Sequence, residues 1–62
     1  EVARKSIVAK ENIPKGSIVK ENMLVVKRPG TGIAPKHIER LIGKRAVHDI
    51  VEDELITWDM IG

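Results

Sequence analysis

The segment Arg28-Pro29-Gly30-Thr31-Gly32 contains the residue with the best-defined chemistry in the chain. A guanidinium presents several N–H donors in one rigid plane, which suits the oxygen acceptors of a ligand. Pro29 disfavours helical backbone at Arg28, so this arginine is predicted to be extended. Gly30 and Gly32 would let the loop approach another surface closely. On this pattern alone, Arg28 is either an exposed loop arginine or one that reaches a ligand.

The other polar groups do not form a recognisable catalytic or metal site. His37 and His48 are 11 residues apart with no third ligand at metal spacing, so surface or local hydrogen-bonding roles are expected and no metal is predicted. Glu52-Asp53-Glu54 is predicted to be a solvated turn, because no base or nucleophile accompanies it. The loop glycines lack the following Gly-Lys-Ser/Thr of a phosphate loop. We predict no catalytic residue, and the isolated chain should not be an enzyme.

The composition predicts a small aliphatic core. The chain has 62 residues and is therefore one domain at most. A domain of this size buries only about 60% of the surface that its unfolded chain exposes. Nine Ile and seven Val supply most of the apolar content, and β-branched residues favour strands. The single aromatic residue is Trp58, for which a packing role is expected.

Charge and cysteine content exclude several classes of partner. The net charge of +2 comes from scattered basic residues, whereas a nucleic-acid binder would show a dense basic stripe and often stacking aromatics. Without cysteine there is no disulfide or thiolate metal site. No apolar run approaches the roughly 18 residues of a membrane span, and no signal peptide is visible. The sequence predicts a cytoplasmic location without nucleic-acid or membrane partners.

Short strands and turns are predicted along most of the chain. Pro14 and Gly16 favour a turn after the first strand. Thr57 is predicted to cap a final turn. The predicted strands are 6–9, 18–19, 25–27, 45–49 and 55–56, and the predicted helical turns are 20–24 and 58–60.

One short helix is predicted, from Pro35 to Ile42. Proline suits the first helical position. Ile38, Leu41 and Ile42 fall at i, i+3 and i+4 and would form one buried face. Gly43 stands where a left-handed C-terminal cap is expected.

An internal repeat relates the two halves of the chain. Residues 9–24 align without a gap on residues 46–61, an offset of 37, and share the pattern Ala, Asx, Ile, aliphatic pair, Asx, Met, aliphatic. Neither half could bury its apolar face alone, but two copies packed about a pseudo-twofold axis could. The alternative is a chance alignment of two β-rich stretches, since only three identities support the repeat.

Four stretches, taken in order, resemble the SAF (antifreeze-like) domain of the sialic acid synthase family. They are VAKENIPKG at 8–16, KRPGTGIAP at 27–35, LIGKRA at 41–46 and DELI at 53–56. The second stretch is the specific one, since SAF domains also occur in other contexts. The resemblance covers residues 4 to 61 and identifies residues 1–62 as a single SAF domain, which would come from the C-terminus of a longer synthase.

The resemblance implies a small, mostly-β fold of the β-clip type, with short strands, one-turn helices and internal twofold symmetry. In the parent enzymes a TIM barrel precedes this domain and condenses phosphoenolpyruvate with N-acetylmannosamine, or a related amino sugar, to give a sialic acid and phosphate. A divalent metal, typically manganese, serves the barrel, and no cofactor is implied for the SAF domain. The family forms domain-swapped homodimers in which each SAF domain caps the partner subunit's barrel.

The same resemblance implies a role for Arg28. The matching arginine of the family reaches into the partner's active site and contacts the N-acetyl group of the sugar. Pro29, Gly30, Thr31 and Gly32 would support the loop that carries it. The implied function is a substrate-capping accessory domain that supplies an arginine in trans.

Two other functions are open at this point. The first is a SAF domain of a pilus or flagellar assembly protein or of a sugar-acid dehydratase, against which the KRPGTG stretch argues. The second is ice binding, since type III fish antifreeze proteins share the fold. Their ice face is flat and largely apolar, whereas the matching region here carries Glu11, Lys20 and Glu21. The sequence leaves open whether the parent makes a sialic, legionaminic or spore-coat sugar.

Overall fold

Short strands and single helical turns, joined by loops, form a compact unit in this computed structural model, which describes residues 4–28 and 30–62. Within those ranges no helix is long and apolar enough to cross a bilayer. The regular elements are strand β1 (Ser6–Ala9), a 3-10 turn (Glu21–Met23), strand β2 (Leu24–Lys27), a 3-10 turn (Pro35–His37) leading into helix α1 (Ile38–Leu41), and a 3-10 turn (Trp58–Met60).

Strand β1 lies at the centre of the molecule. It pairs with β2 in an antiparallel register that runs from Ser6 opposite Lys27 to Ala9 opposite Leu24. On its other side, Val8 bridges Leu55. All four β1 residues are buried, so this strand is covered on both faces, whereas β2 becomes exposed toward its end.

The core is aliphatic, as the composition predicts. Its members come from every part of the chain and include residues from loops as well as strands. They are Ile7, Ala9, Ile13, Val19, Leu24, Ile33, Leu41, Ala46, Ile50 and Ile56.

Backbone interactions recur at the offset of the sequence repeat. Ile13 and Ile50 occupy equivalent positions in the two halves and exchange both of their hydrogen bonds, with N···O distances of 2.7 and 2.9 Å. The 3-10 turns Glu21–Met23 and Trp58–Met60 are also equivalent at this offset. The bridge between Val8 and Leu55 has its counterpart in a bridge between positions 45 and 18.

The Asx residues of the repeat have reciprocal roles. The side chain of Asn12 accepts a hydrogen bond from the N–H of Glu52, at 2.8 Å. The side chain of Asp49, its equivalent, accepts one from the N–H of Lys15, also at 2.8 Å. Each half therefore supplies a side-chain acceptor to a turn of the other half, which gives the shared Asx position a structural reason.

The helix is shorter than predicted. Its first turn, Pro35–His37, is 3-10, and only Ile38–Leu41 is α-helical. The expected start at proline and the expected left-handed glycine, with φ +90 at Gly43, are both present. The N–H of Gly43 donates to the carbonyl of Val19 at 2.9 Å, so the chain leaves the helix there. Ile42 is therefore extended and exposed rather than part of the buried face.

Three predicted strands are wrong as continuous strands. Residues 18–19, 45–49 and 55–56 contain only isolated bridges. Within 45–49 the backbone hydrogen bonds are divided between two different segments. Ala46, for example, donates to Ser17, whereas the N–H and carbonyl of Arg45 both pair with Gly62. Thr57 also differs from expectation, since its hydroxyl donates to the carboxylate of Asp59 and makes no cap to the backbone.

Candidate functional site: the Arg28 loop

Arg28 is exposed at a bend that directly follows β2. Among the residues that the structure describes, no side chain or carbonyl takes a hydrogen bond or ion pair from its guanidinium. This exposure fits both interpretations of the sequence, an ordinary loop arginine and one that reaches a ligand. The next residue of the predicted site, Pro29, lies outside the described residues.

The start of the loop is tied to a distant turn. The Lys27 Nζ, just before Arg28, donates to Oδ1 of Asp53 at 2.8 Å, and both side chains are more than half exposed. The hydrogen bond that Lys27 donates to Asp53, followed by the charge of that carboxylate, raises the pKa of Lys27 above its ordinary 10.5. Lys27 therefore stays charged across the physiological range.

The end of the loop is tied to β1. The N–H of Gly32 donates to Oγ of Ser6 at 2.8 Å, and the N–H of Ile7 donates to the carbonyl of Ile33 at 3.0 Å. Ser6 is fully buried and is also the register partner of Lys27. One buried serine therefore lies against both ends of the loop that carries the candidate arginine.

The loop glycines are needed within this domain. A Cβ at Gly30 would lie 2.3 Å from Cβ of Arg4, which no side chain could accommodate without a shift. A Cβ at Gly32 would lie 3.3 Å from Cβ of Ser6. Both glycines therefore allow close packing on Arg4 and Ser6 of this same domain, and the expected approach of the loop to another surface stays a prediction. Thr31, between them, is exposed.

Trp58 lies beside the loop and is almost half exposed. The guanidinium carbon of Arg40 is 5.1 Å from the centre of the indole ring, and the His37 ring centre is 6.3 Å away at 59°. A shallow hollow of about 190 Å³ separates Trp58 from Thr31 and the neighbouring loop residues. The contact of the Arg40 guanidinium with the Trp58 ring is a cation–π interaction, which contributes about 0.5–1 kcal/mol to stability at an exposed site.

This cluster of Trp58, Arg40 and His37 is not predicted from the sequence. Nothing in the spacing of Trp58, which lies 18 residues beyond Arg40, indicates that α1 would bring the two together. The packing role expected for Trp58 is met in part by its contacts with Arg40 and His37.

The acidic turn and the histidines have local roles. The carboxylate of Glu54 accepts a hydrogen bond from the N–H of Val51, and Asp53 pairs with Lys27. Nδ1 of His48 lies 2.9 Å from the carbonyl of Asp49. Across residues 4–28 and 30–62, no three His, Cys, Asp or Glu side chains are grouped so that they could hold a metal ion.

The fold is that of a known class of small domain. The solution structure of an antifreeze-protein-like domain in human N-acetylneuraminic acid phosphate synthase superposes with a TM-score of 0.94 at 33% identity. The match covers 100% of this chain and 80% of that one. The chain therefore has the antifreeze-like fold.

The chain belongs to the SAF domain family, whose family model matches residues 4–62. It is 47% identical over 55 residues to an N,N'-diacetyllegionaminic acid synthase of Campylobacter jejuni, covering 89% of this chain and 16% of that protein. It is 38% identical over 58 residues to the N-acetylneuraminate-9-phosphate synthase of Homo sapiens, covering 92% and 16%. The chain thus spans about a sixth of the length of these relatives. The predicted resemblance to SAF domains of the sialic acid synthase family is confirmed.

Proposed function

We propose that this chain is the substrate-capping domain of a sialic acid synthase and that it supplies Arg28 to the active site of the partner subunit. The parent enzyme would condense phosphoenolpyruvate with N-acetylmannosamine or a related amino sugar. The observation that carries the proposal is the arginine itself, which is exposed and without a polar partner among the described residues.

The loop around Arg28 is suited to presenting a side chain to another surface. Lys27 is fixed to Asp53 on one side of Arg28, and Gly32 is fixed to Ser6 on the other. A backbone that is already ordered loses less conformational entropy when its side chain binds a ligand. A guanidinium held in this way can donate charge-assisted hydrogen bonds to the amide or hydroxyl oxygens of a sugar.

The remaining parts of the reaction are assigned to the parent. We propose a preceding TIM barrel that binds phosphoenolpyruvate and a divalent metal such as manganese, with the SAF domain at the C-terminus of a cytoplasmic homodimer. The domain itself would hold no cofactor and catalyse nothing. The relatives support this assignment by their names, which are those of synthases of acidic sugars.

We also infer that the two halves are related by a rotation near twofold, with residues 9–24 placed on 46–61. The reciprocal hydrogen bonds between Ile13 and Ile50 support this symmetry. The side chains of Asn12 and Asp49 also support it, because each accepts a hydrogen bond from a backbone N–H of the other half.

The first prediction is that Arg28→Ala in the full-length synthase lowers turnover with the amino sugar about tenfold or more. A charge-assisted hydrogen bond contributes about 1.5–3 kcal/mol, and each 1.36 kcal/mol is a factor of about ten in rate. The melting temperature should barely move, because the side chain is exposed. Arg28→Lys should restore only part of the activity, since an ammonium lacks the planar fork. Steady-state kinetics and thermal unfolding measure these outcomes.

A matched control is Lys20→Ala, which also removes one exposed positive charge. Lys20 lies just before the 3-10 turn that precedes β2, whereas Arg28 follows the last residue of β2. Arg40 is unsuitable as a silent control, because it packs over Trp58. Wild-type kinetics for Arg28→Ala would refute the proposal. So would a loss of activity accompanied by unfolding of the domain, which would make Arg28 structural.

The second prediction separates an accessory role from catalysis and from ice binding. In isolation the domain should neither consume phosphoenolpyruvate with an amino sugar nor produce thermal hysteresis in freezing solutions. Glu11, Lys20 and Glu21 are all exposed, and long hydrated charges fit an ice surface poorly. Clear activity in either assay contradicts the proposed role as an accessory domain.

A further inference from the structure

Asp53 has an unusual backbone conformation. Its φ is +71, in the left-handed region, and it is the one residue other than glycine with positive φ in the described parts of the chain. Aspartate tolerates this region better than most residues, but glycine adopts it without a steric cost.

The equivalent residue in the first half is a glycine. Gly16 has φ +89, and its N–H donates to the carbonyl of Ala46 at 2.8 Å. Asp53 makes the corresponding bond to the carbonyl of Ala9, also at 2.8 Å. The same turn is thus built once with glycine and once with aspartate, so the turn geometry alone does not explain the carboxylate.

The carboxylate of Asp53 is used by Lys27. Lys27 is the last residue of β2, its Nζ lies 2.8 Å from Oδ1 of Asp53, and Arg28 follows it directly. Strand β2 pairs only with β1 within the described residues, and its end is exposed. Strand ends of this kind open readily, so a side-chain contact at the last residue limits how far the backbone at Arg28 can move.

We propose that Asp53 is a positioning residue, which fixes the end of β2 through Lys27 and thereby directs Arg28 toward the amino sugar. This inference rests on the proposed function of Arg28. Aspartate at this left-handed position has a steric cost that glycine would avoid. Its carboxylate holds Lys27 at the end of β2, and glycine has no side chain that could do so.

The test is Asp53→Gly in the full-length synthase. The Michaelis constant for the amino sugar should rise about two- to fivefold, the range that an exposed ion pair supports. The Michaelis constant for phosphoenolpyruvate should stay unchanged. The melting temperature should be unchanged or slightly higher, because glycine relieves the left-handed backbone. The difference from wild type should shrink in about 1 M salt, where the Debye length is about 3 Å.

Companion variants show whether the effect passes through Lys27. Lys27→Met should match Asp53→Gly, the double variant should be no worse than either single one, and Lys27→Arg should retain most of the effect of the pair. Glu52→Gln is the matched control, since this neighbouring carboxylate acts on Lys27 only weakly, through its charge, and is not hydrogen-bonded to it. By NMR titration, the pKa of Lys27 should fall back toward 10.5 in Asp53→Gly.

The outcomes separate this inference from the proposed function. An unchanged Michaelis constant in Asp53→Gly, with Arg28→Ala impaired, overturns the positioning role alone. A melting temperature that drops in step with activity also overturns it, since Asp53 would then be structural. Wild-type kinetics for Arg28→Ala remove both proposals together.

Discussion

Ser6 is a polar residue at a position where a strand covered on both faces usually carries an apolar one. It is fully buried, and its hydroxyl oxygen accepts the N–H of Gly32. A buried N–H without an acceptor is costly, so the hydroxyl allows the candidate loop to return to β1 without that cost. The serine therefore links the first strand to the loop that carries Arg28.

Ser6→Ala should lower the free energy of unfolding by about 1–3 kcal/mol, because the N–H of Gly32 loses its acceptor in a part-buried site. Denaturant unfolding of the domain measures this change. Ser17→Ala is a matched control, since Ser17 is only half buried and its recorded hydrogen bonds are made by its backbone. Equal effects of the two substitutions would show that the Ser6 hydroxyl is not a special contact.

At the scale of single residues, the sequence indicates Arg28 as the candidate residue but does not indicate which residues contact its loop. Arg28 lies outside a helix, as the proline after it predicts, and Glu52 and Asp53 of the acidic turn are exposed as expected. The partners of that turn and loop were not predicted, because Lys27 and Asp53 are 26 residues apart and Gly30 and Arg4 are equally far. A single sequence gives no signal for which distant charges meet. The substrate role of Arg28 stays a prediction.

The elements of this fold are short because their hydrogen bonds change partner after a few residues. β1 keeps the same partner for four residues and is found where the sequence predicts it. Positions 18–19 and 55–56 have the composition of strands but pair with one segment over only one or two residues, and the hydrogen bonds of 45–49 are divided between two segments. Composition indicates that a residue suits an extended, buried position, but it does not indicate how many successive residues pair with the same segment.

Helix ends were predicted more accurately than the helix interior. Pro35 and Gly43 mark the ends through local backbone chemistry, and both are observed in those roles. The interior depends on tertiary contacts instead. The bond from Gly43 to Val19 and the outward position of Ile42 arise from the packing of the whole domain, which a local periodicity cannot contain.

At the scale of the whole molecule, the two halves complete each other. Ile13 and Ile50 are almost fully buried and bonded to one another at the junction of the halves. Neither half has a core of its own, because the buried aliphatic residues from both halves form one cluster. The inferred symmetry therefore predicts that equivalent positions contribute equally to stability.

Ile13→Val and Ile50→Val should each destabilise the domain by about 0.5–1.5 kcal/mol, and the two values should agree within about 0.5 kcal/mol. Ile42→Val is the matched control, because Ile42 is 38% exposed and should change stability by less than about 0.5 kcal/mol. Chemical denaturation of the three variants measures these values. A large cost at one junction isoleucine and none at the other would contradict the equivalence of the halves.

The bridge between Val8 and Leu55 joins residues 47 positions apart, and the junction of Ile13 with Ile50 spans 37. A chain with such pairings must close long loops before its contacts form. The conformational entropy lost in closing these loops raises the free energy of the folding transition state. The domain should therefore fold slowly for its size, as one kinetic unit. Unfolding that separates Ile13 from Ile50 would open the shared core and release both halves together.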